Sequence, residues 1–355
     1  MPRRRLVAAV ALLVAWLLAL SFAPTLRVAA ESLPARLADD DFWKLTTEFS
    51  EPSGYFQSDN LLSNELGMQY VIPQLVRQAK AGRVYMGVGP EQNFSYIAAI
   101  KPKMVFIVDV RRGNRDLQLM YKALFELSSD RADFVSRLFS KPRPPGLTRS
   151  STISEIFAGF WNVETSEPLY KENLKAIKEH LVTRHALPLT EDEVHGVEQV
   201  YYAFYWFGPS IQYSSSGGFG GRNQPTYAEL MTATDGDGQA RSYLANEDNF
   251  TVMKELESKN LLVPVVGNFA GPKAIRAVGK YLKEKGATVS AFYLSNVEQY
   301  LRGTLWNDFC ANVATLPLDD TSTFIRSTRG GGFGPGFGLL SQLGLMSVDV
   351  KACTQ

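Results

Sequence analysis

Arg83-Val84-Tyr85-Met86-Gly87-Val88-Gly89-Pro90-Glu91-Gln92, followed by Phe94 to Ile100 and by Met104-Val105-Phe106-Ile107-Val108-Asp109-Val110, decides the fold. A short apolar run enters a glycine turn, a helix-length segment follows, and a second apolar run ends on an acid. That order is a strand, crossover helix and parallel strand. Downstream, Asp116 to Leu127 places Leu117, Met120, Leu124 and Leu127 on one helical face. Upstream, the apolar positions from Asn60 to Lys80 recur at near-helical intervals behind Ser58 or Asp59 as N-cap, and Pro73 kinks or splits that helix.

The alternation resumes late in the chain. Leu261 to Gly267 reads as a strand with a helix from Pro272 to Lys285, and Thr288 to Leu294 as a strand with a helix from Val297 to about Asn312. Thr323 to Ser327 reads as a last strand. Between the two halves, Pro142, Pro144, Pro145 and Gly146 break the chain. Helices are then expected at Ile153–Phe160, Tyr170–Thr183 and Glu191–Phe207, ending in the glycine-rich loop from Ser214 to Gly221. The fold class is therefore α/β with a mostly parallel sheet and a helical insertion. Its divisions are 31–55 as a lead-in, 56–140 and 232–330 as the two halves, 141–231 as the insertion, and 331–355 as a Gly-rich tail whose 330–338 run is a flexible loop.

Residues 1–30 differ from the rest. Arg3, Arg4 and Arg5 precede an uncharged apolar run from Leu6 to Ala23, and Val28-Ala29-Ala30 offers a small-x-small cleavage site. That is a secretory signal, which makes the mature protein exported, periplasmic or secreted. The alternative is an uncleaved anchor through residues 6–23, the one segment expected to touch a membrane. Arg-Arg-x-Leu-Val is also a loose twin-arginine pattern. Removing residues 1–30 takes away four Arg and no acid, so 37 basic and 36 acidic residues become 33 and 36. A chain without positive excess argues against a nucleic-acid partner. Cys310 and Cys353 can form one disulfide outside the cytoplasm or remain two buried thiols, and spacing leaves both open.

Chemistry is expected where the first strand leaves the sheet. Gly87 and Gly89 let a ligand approach the backbone, and the amides of the helix that follows attract polar groups. Asp109, at the end of the second strand, stands where nucleotide folds present a carboxylate to two ribose hydroxyls. The plainer reading is a tight turn, with Asp109 capping a helix or pairing with Arg111 or Arg112. That arginine pair itself reads as a solvated helix start. Ser58, Asp59, Asn60, Asn64 and Glu65 form a polar cluster ahead of the glycine strand, and Tyr201 to Phe207 is an aromatic run suited to core packing or to a cleft wall.

With those residues in view, Val84 to Gly89, Asp109 and the later strands ending at Asn268 and Ser295 resemble a class I S-adenosylmethionine-dependent methyltransferase domain, over about 56–140 and 230–330. The chain also resembles a family of uncharacterised exported bacterial proteins through Gly87 to Phe94 and Val266 to Pro272. The resemblance implies a three-layer Rossmann-like sheet and a small-molecule ligand held by Gly87, Gly89, Glu91, Asp109 and Asn268, with Asn268 the candidate catalytic group. S-adenosylmethionine is the implied cofactor, and NAD is the alternative. Two departures stand out: Tyr85 replaces the acid that usually precedes the first glycine, and Glu91 replaces a third glycine. The implied activity is an exported methyltransferase-like protein of open acceptor; the alternative is a non-catalytic small-molecule or partner-binding domain on the same fold.

Other chemistry is not expected. Asp235-Gly236-Asp237-Gly238 begins like a calcium loop but has Ala240 where glycine is required, and reads as a turn. His180, His185 and His195 match no metal-binding helix motif and are placed on surfaces of the insertion, so no metal is expected. No Gly-x-Ser-x-Gly elbow or phosphate-binding Gly-Lys-Ser loop occurs.

Overall fold

The first two apolar runs pair in parallel inside the sheet. The computed structural model describes residues 32–213, 224–329 and 339–353; the segment 1–30 read as a signal, the glycine-rich loop 214–221 and the glycine run 330–338 lie outside the described residues. The described residues fall in one unit, and no helix among them is long and apolar enough to cross a membrane.

In chain order the elements are α1 (Asp39–Glu48), α2 (Ile72–Gln78), β1 (Val84–Gly87), α3 (Gln92–Ile100), β2 (Met104–Asp109), α4 (Arg112–Leu127) and α5 (Arg131–Phe139). The insertion follows with α6 (Ile153–Phe160), α7 (Glu167–Lys178), a π-turn over Glu179–Arg184, α8 (Glu191–Phe207) and α9 (Tyr227–Thr232). The second half holds α10 (Glu247–Ser258), β3 (Leu262–Val266), α11 (Ala274–Glu284), β4 (Val289–Ser295), α12 (Thr304–Val313), β5 (Thr323–Arg329), β6 (Leu339–Leu345) and α13 (Met346–Cys353).

The six strands stand in the order β3-β2-β1-β4-β5-β6. Every pairing is parallel except β5 with β6. Strands β1 to β4 are buried along their length, which is why they read as continuous apolar runs. Pro264 is tolerated inside β3 because β3 is an edge strand, where a missing N–H breaks no ladder. Met86, Phe106, Phe292 and Phe324 are register neighbours and share one face. On it, Phe49 and Tyr281 of α11 pack against Phe106, and Phe269 against Phe292. Tyr293, on the opposite face, meets Tyr96 of α3. Helices therefore cover both sides. Beyond α3, an aromatic cluster of Phe94, Tyr121, Phe125, Phe134 and Tyr243 joins the halves, all of it fully buried.

Three expectations are corrected. The helix expected from Asn60 to Lys80 is irregular chain up to a 3-10 turn at Met68–Val71, and regular helix begins only at Ile72. Pro73 sits in the first helical turn, where its missing N–H is harmless, so it starts this helix rather than kinking it. The helix expected from Val297 is a 3-10 turn at Val297–Tyr300 and a separate α12, parted by Gly303 at φ +60°. Finally, 339–353 is not a loose tail: β6 closes the sheet edge, and α13 is tied to α12 by a Cys310–Cys353 disulfide whose Cα atoms lie 5.7 Å apart.

Candidate functional site

Strand order reverses between β1 and β4, so the loops leaving their carboxyl ends diverge and open a crevice, the usual ligand position in open α/β sheets. A cavity of about 340 Å³ lies there. Gly89, Asp109, Asn268 and Ser295 all line it, as do Asn60, Asn64 and Glu65 of the polar segment ahead of β1. Gly87 and Glu91, expected to face the ligand, do not.

The reason for Gly87 is packing. A Cβ there would overlap the Asn93 side chain. Asn93 braces the turn from inside, with Nδ2 donating to the Val88 carbonyl at 2.9 Å and the Pro90 carbonyl at 2.7 Å, while Oδ1 accepts from the Tyr85 hydroxyl at 2.9 Å. Tyr85, in the place of the usual acid, is thus spent on the turn itself. Gly89 is different: its φ of +78° is costly for any other residue, and no atom lies within 4 Å of where a Cβ would stand. It leaves open space on the cavity side.

Glu91 lies fully buried beneath the loop. Its Oε1 accepts from the Ser63 amide at 3.2 Å, and its Oε2 has no partner. Burial pushes its pKa up to about 8, against the lowering effect of the Ser63 amide, so the group is a neutral acid at pH 7.

Asp109 reaches the cavity with a partner already in place. Its Oδ1 accepts from the Arg111 amide at 2.9 Å and from Nε at 3.1 Å, and its Oδ2 accepts from Nη2 at 3.0 Å. Arg111 also donates to the Asp59 carbonyl, which fastens the preceding polar segment across the end of β2. Arg111 is therefore no solvated helix start; it lines the cavity with its side chain 11% exposed, while Arg112, 47% exposed, fits that description. Of the four acceptor positions of a carboxylate, Asp109 retains one, on Oδ2. One ligand hydroxyl can bind there, not two.

Asn268 follows β3. Its Oδ1 accepts from the Ala270 amide at 3.0 Å, a local turn. The anion-attracting start of α11 is filled by the chain itself: Glu51 Oε1 accepts from the amides of Lys273 and Ala274, both at 2.8 Å, and Oε2 from the Asn268 amide at 3.1 Å.

Glu65 joins the site together. It is 1% exposed, and Oε1 accepts from the Tyr293 hydroxyl at 2.7 Å and Ser295 Oγ at 2.9 Å, while Oε2 accepts from Gln92 Nε2 at 2.8 Å and Ser341 Oγ at 3.2 Å. One carboxylate thereby fixes the polar segment to α3, β4 and β6. Ser295 is aimed at it by a register shift at the end of β4 and a left-handed φ of +50°. Burial, then the charge of Glu65, raise the Tyr293 hydroxyl far above the ordinary phenol range, so it remains a donor.

Aromatic and aliphatic groups supply the walls: Phe56 and Tyr300 meet edge to face at 5.3 Å, with Tyr213, Phe269, Val297 and Leu301 beside them. Among the described residues, no His, Lys or Cys lines the cavity. The aromatic run of α8 plays no part in it: Tyr201 and Phe204 are core, and Tyr202 and Trp206 are exposed. Sequence reading missed Ser63, Gln92, Tyr213 and Tyr300 as lining groups. Gln92 carried a signal, the first helical position after a glycine turn; the others carried none.

No curated protein matches the chain. A family model does match, over residues 61–195 and 220–338, which span both halves of the sheet and most of the insertion. The chain belongs to the family described as Domain of unknown function (DUF7790).

Proposed function

We propose that this chain is an exported small-molecule-binding domain on a methyltransferase-like, Rossmann-like fold, with the ligand seated between the carboxyl ends of β1 and β4. One observation carries the reading: an aromatic-walled cavity of about 340 Å³ at the strand-order reversal, with Gly89, Asp109 and Asn268 on its lining. Its size falls at the small end of organic-ligand sites. The antiparallel last strand and the order β3-β2-β1-β4-β5-β6 support the fold assignment. The Cys310–Cys353 disulfide supports export.

The charge balance narrows the ligand. Among the described residues the lining holds Glu65, Asp109 and Arg111, an excess of one carboxylate. A pyrophosphate is repelled there, which argues against NAD. A planar ring against the aromatic walls with a cationic group toward Glu65 is favoured, and S-adenosylmethionine, a nucleoside with a sulfonium and an ammonium, has that form.

Calorimetry of the mature chain with S-adenosylmethionine, its demethylated product and NAD tests this. The expected result is micromolar heat with S-adenosylmethionine, weaker binding of the uncharged-sulfur product, and loss of at least tenfold in affinity in Tyr300→Ala, which removes a half-exposed wall. Silence with all three molecules refutes the ligand assignment.

A further inference from the structure

Outside this cavity's lining, α4 and the π-turn bring together three ligating side chains that sequence spacing did not connect. Glu126 Oε2 lies 3.1 Å from His180 Nε2 and 3.0 Å from His185 Nε2. His180 and His185 are 7% and 8% exposed, not surface groups of the insertion, and their rings meet at 4.9 Å. The π-turn is the cause: the His185 amide bonds to the His180 carbonyl at 3.0 Å, an i to i+5 closure that sets residues five apart on one side. Such turns recur at functional sites.

We propose that Glu126, His180 and His185 form a site for one divalent transition metal, zinc first, with a coordination position left open to the adjoining cavity. The spacing supports it. Ligand atoms about 2.0–2.1 Å from a shared tetrahedral zinc stand about 3.3–3.4 Å apart; the two Glu126–histidine separations are close to that, and all three ligand atoms lie within 4.8 Å of one another. So does the surrounding shell. His185 turns its other nitrogen, Nδ1, to Asp39 Oδ1 at 2.5 Å, and Asn260 holds that oxygen at 2.8 Å. This is the carboxylate–histidine arrangement that orients metal-bound imidazoles. Lys122 takes the second oxygen of Glu126 at 2.7 Å, so Oε2 alone faces the histidines. Two imidazoles and one carboxylate oxygen are the donor set of open zinc sites that keep water or an anion in the fourth position.

The open side supplies the rest. The same three residues line a second cavity, about 630 Å³, together with Arg36, Arg184 and Ser258. Arg36 and Arg184 are exposed there, so an anionic ligand of the metal is favoured over a cationic one. Without metal, Oε2 of Glu126 receives a bond from each histidine, and the metal takes the place of those two contacts.

The test uses the tag-free mature chain, stripped with chelator and titrated with zinc and separately with cobalt. One equivalent of zinc should bind at micromolar dissociation constant or tighter, and cobalt should show the intense visible absorption of a four-coordinate site. His180→Ala with His185→Ala should abolish both signals. Asp39→Asn, which keeps all three ligands, should weaken zinc tenfold to a hundredfold. Should the double variant fail to fold, the wild-type cobalt spectrum decides: a weak six-coordinate spectrum, or no zinc heat, overturns the site. Undiminished zinc binding in a folded double variant also overturns it.

Discussion

Glu91→Gln separates a buried acid from a ligand-facing one. The native carboxyl has its pKa pushed up to about 8 by burial, while the unfolded chain returns it to about 4.5. Between those values the native state holds a proton that the unfolded state has released. Stability contributed by this group is thus complete below about pH 4.5 and falls as pH rises to about 8, by ~1.4 kcal/mol per unit. Over the whole window the loss is ~5 kcal/mol as an order of magnitude. Glutamine has nearly the shape of the protonated acid and no titration: its oxygen can keep the Ser63 amide, and its nitrogen stands where Oε2 already lacks a partner. Urea unfolding of both proteins at each unit from pH 5 to 9 gives the comparison. At pH 5 the two should agree to within ~1 kcal/mol, and by pH 8 to 9 the variant should be more stable by ~3–5 kcal/mol. Glu257, also pushed up to about 8 by burial, lowers both proteins equally and cancels. A difference that stays flat across this range would falsify the neutral-acid assignment, and so would a variant that loses stability at high pH.

Asp109→Ala should lower stability by ~2–4 kcal/mol, measured by chemical unfolding, because it strands a nearly buried Arg111 and frees the segment that Arg111 fastens; a change below ~0.5 kcal/mol would mean the pair is solvated. Cys310→Ser with Cys353→Ser opens a 43-residue loop and should cost ~2–4 kcal/mol, with dithiothreitol lowering the melting point of the wild type but not of the double variant. Identical melting with and without reductant in the wild type speaks against the bond.

What could be read ahead of the structure follows the range of each interaction. The strands around Val84 to Gly87 and Met104 to Asp109, and helices such as Ile153–Phe160 and Glu191–Phe207, carry their own periodicity and caps; Thr152 and Thr190 each close a capping box. The strand Leu339–Leu345 could not be read, because Leu-Leu-Ser-Gln-Leu-Gly-Leu lacks clean alternation and follows a glycine run. It becomes a strand by pairing with β5 along seven residues. The π-turn was equally hidden, since helical reading of Tyr170 to Thr183 assumes a constant period and so separates His180 from His185.

The site shows the same limit with a sharper consequence. Gly89, Asp109 and Asn268 were legible because crossover loops place them by rule. Their availability was not. Three features that would draw a nucleotide have been answered by a group distant in sequence or unremarkable beside it: Asn93 fills the space at Gly87, Arg111 takes most of Asp109, and Glu51 occupies the start of α11. What remains is an aromatic chamber in which Asp109 is paired with Arg111, while the buried carboxylate of Glu65 is held by four uncharged donors. A ligand entering it gains from ring contact and positive charge rather than from phosphate. The discriminating quantity is therefore the affinity ratio between S-adenosylmethionine and its neutral-sulfur product, and that ratio should exceed one.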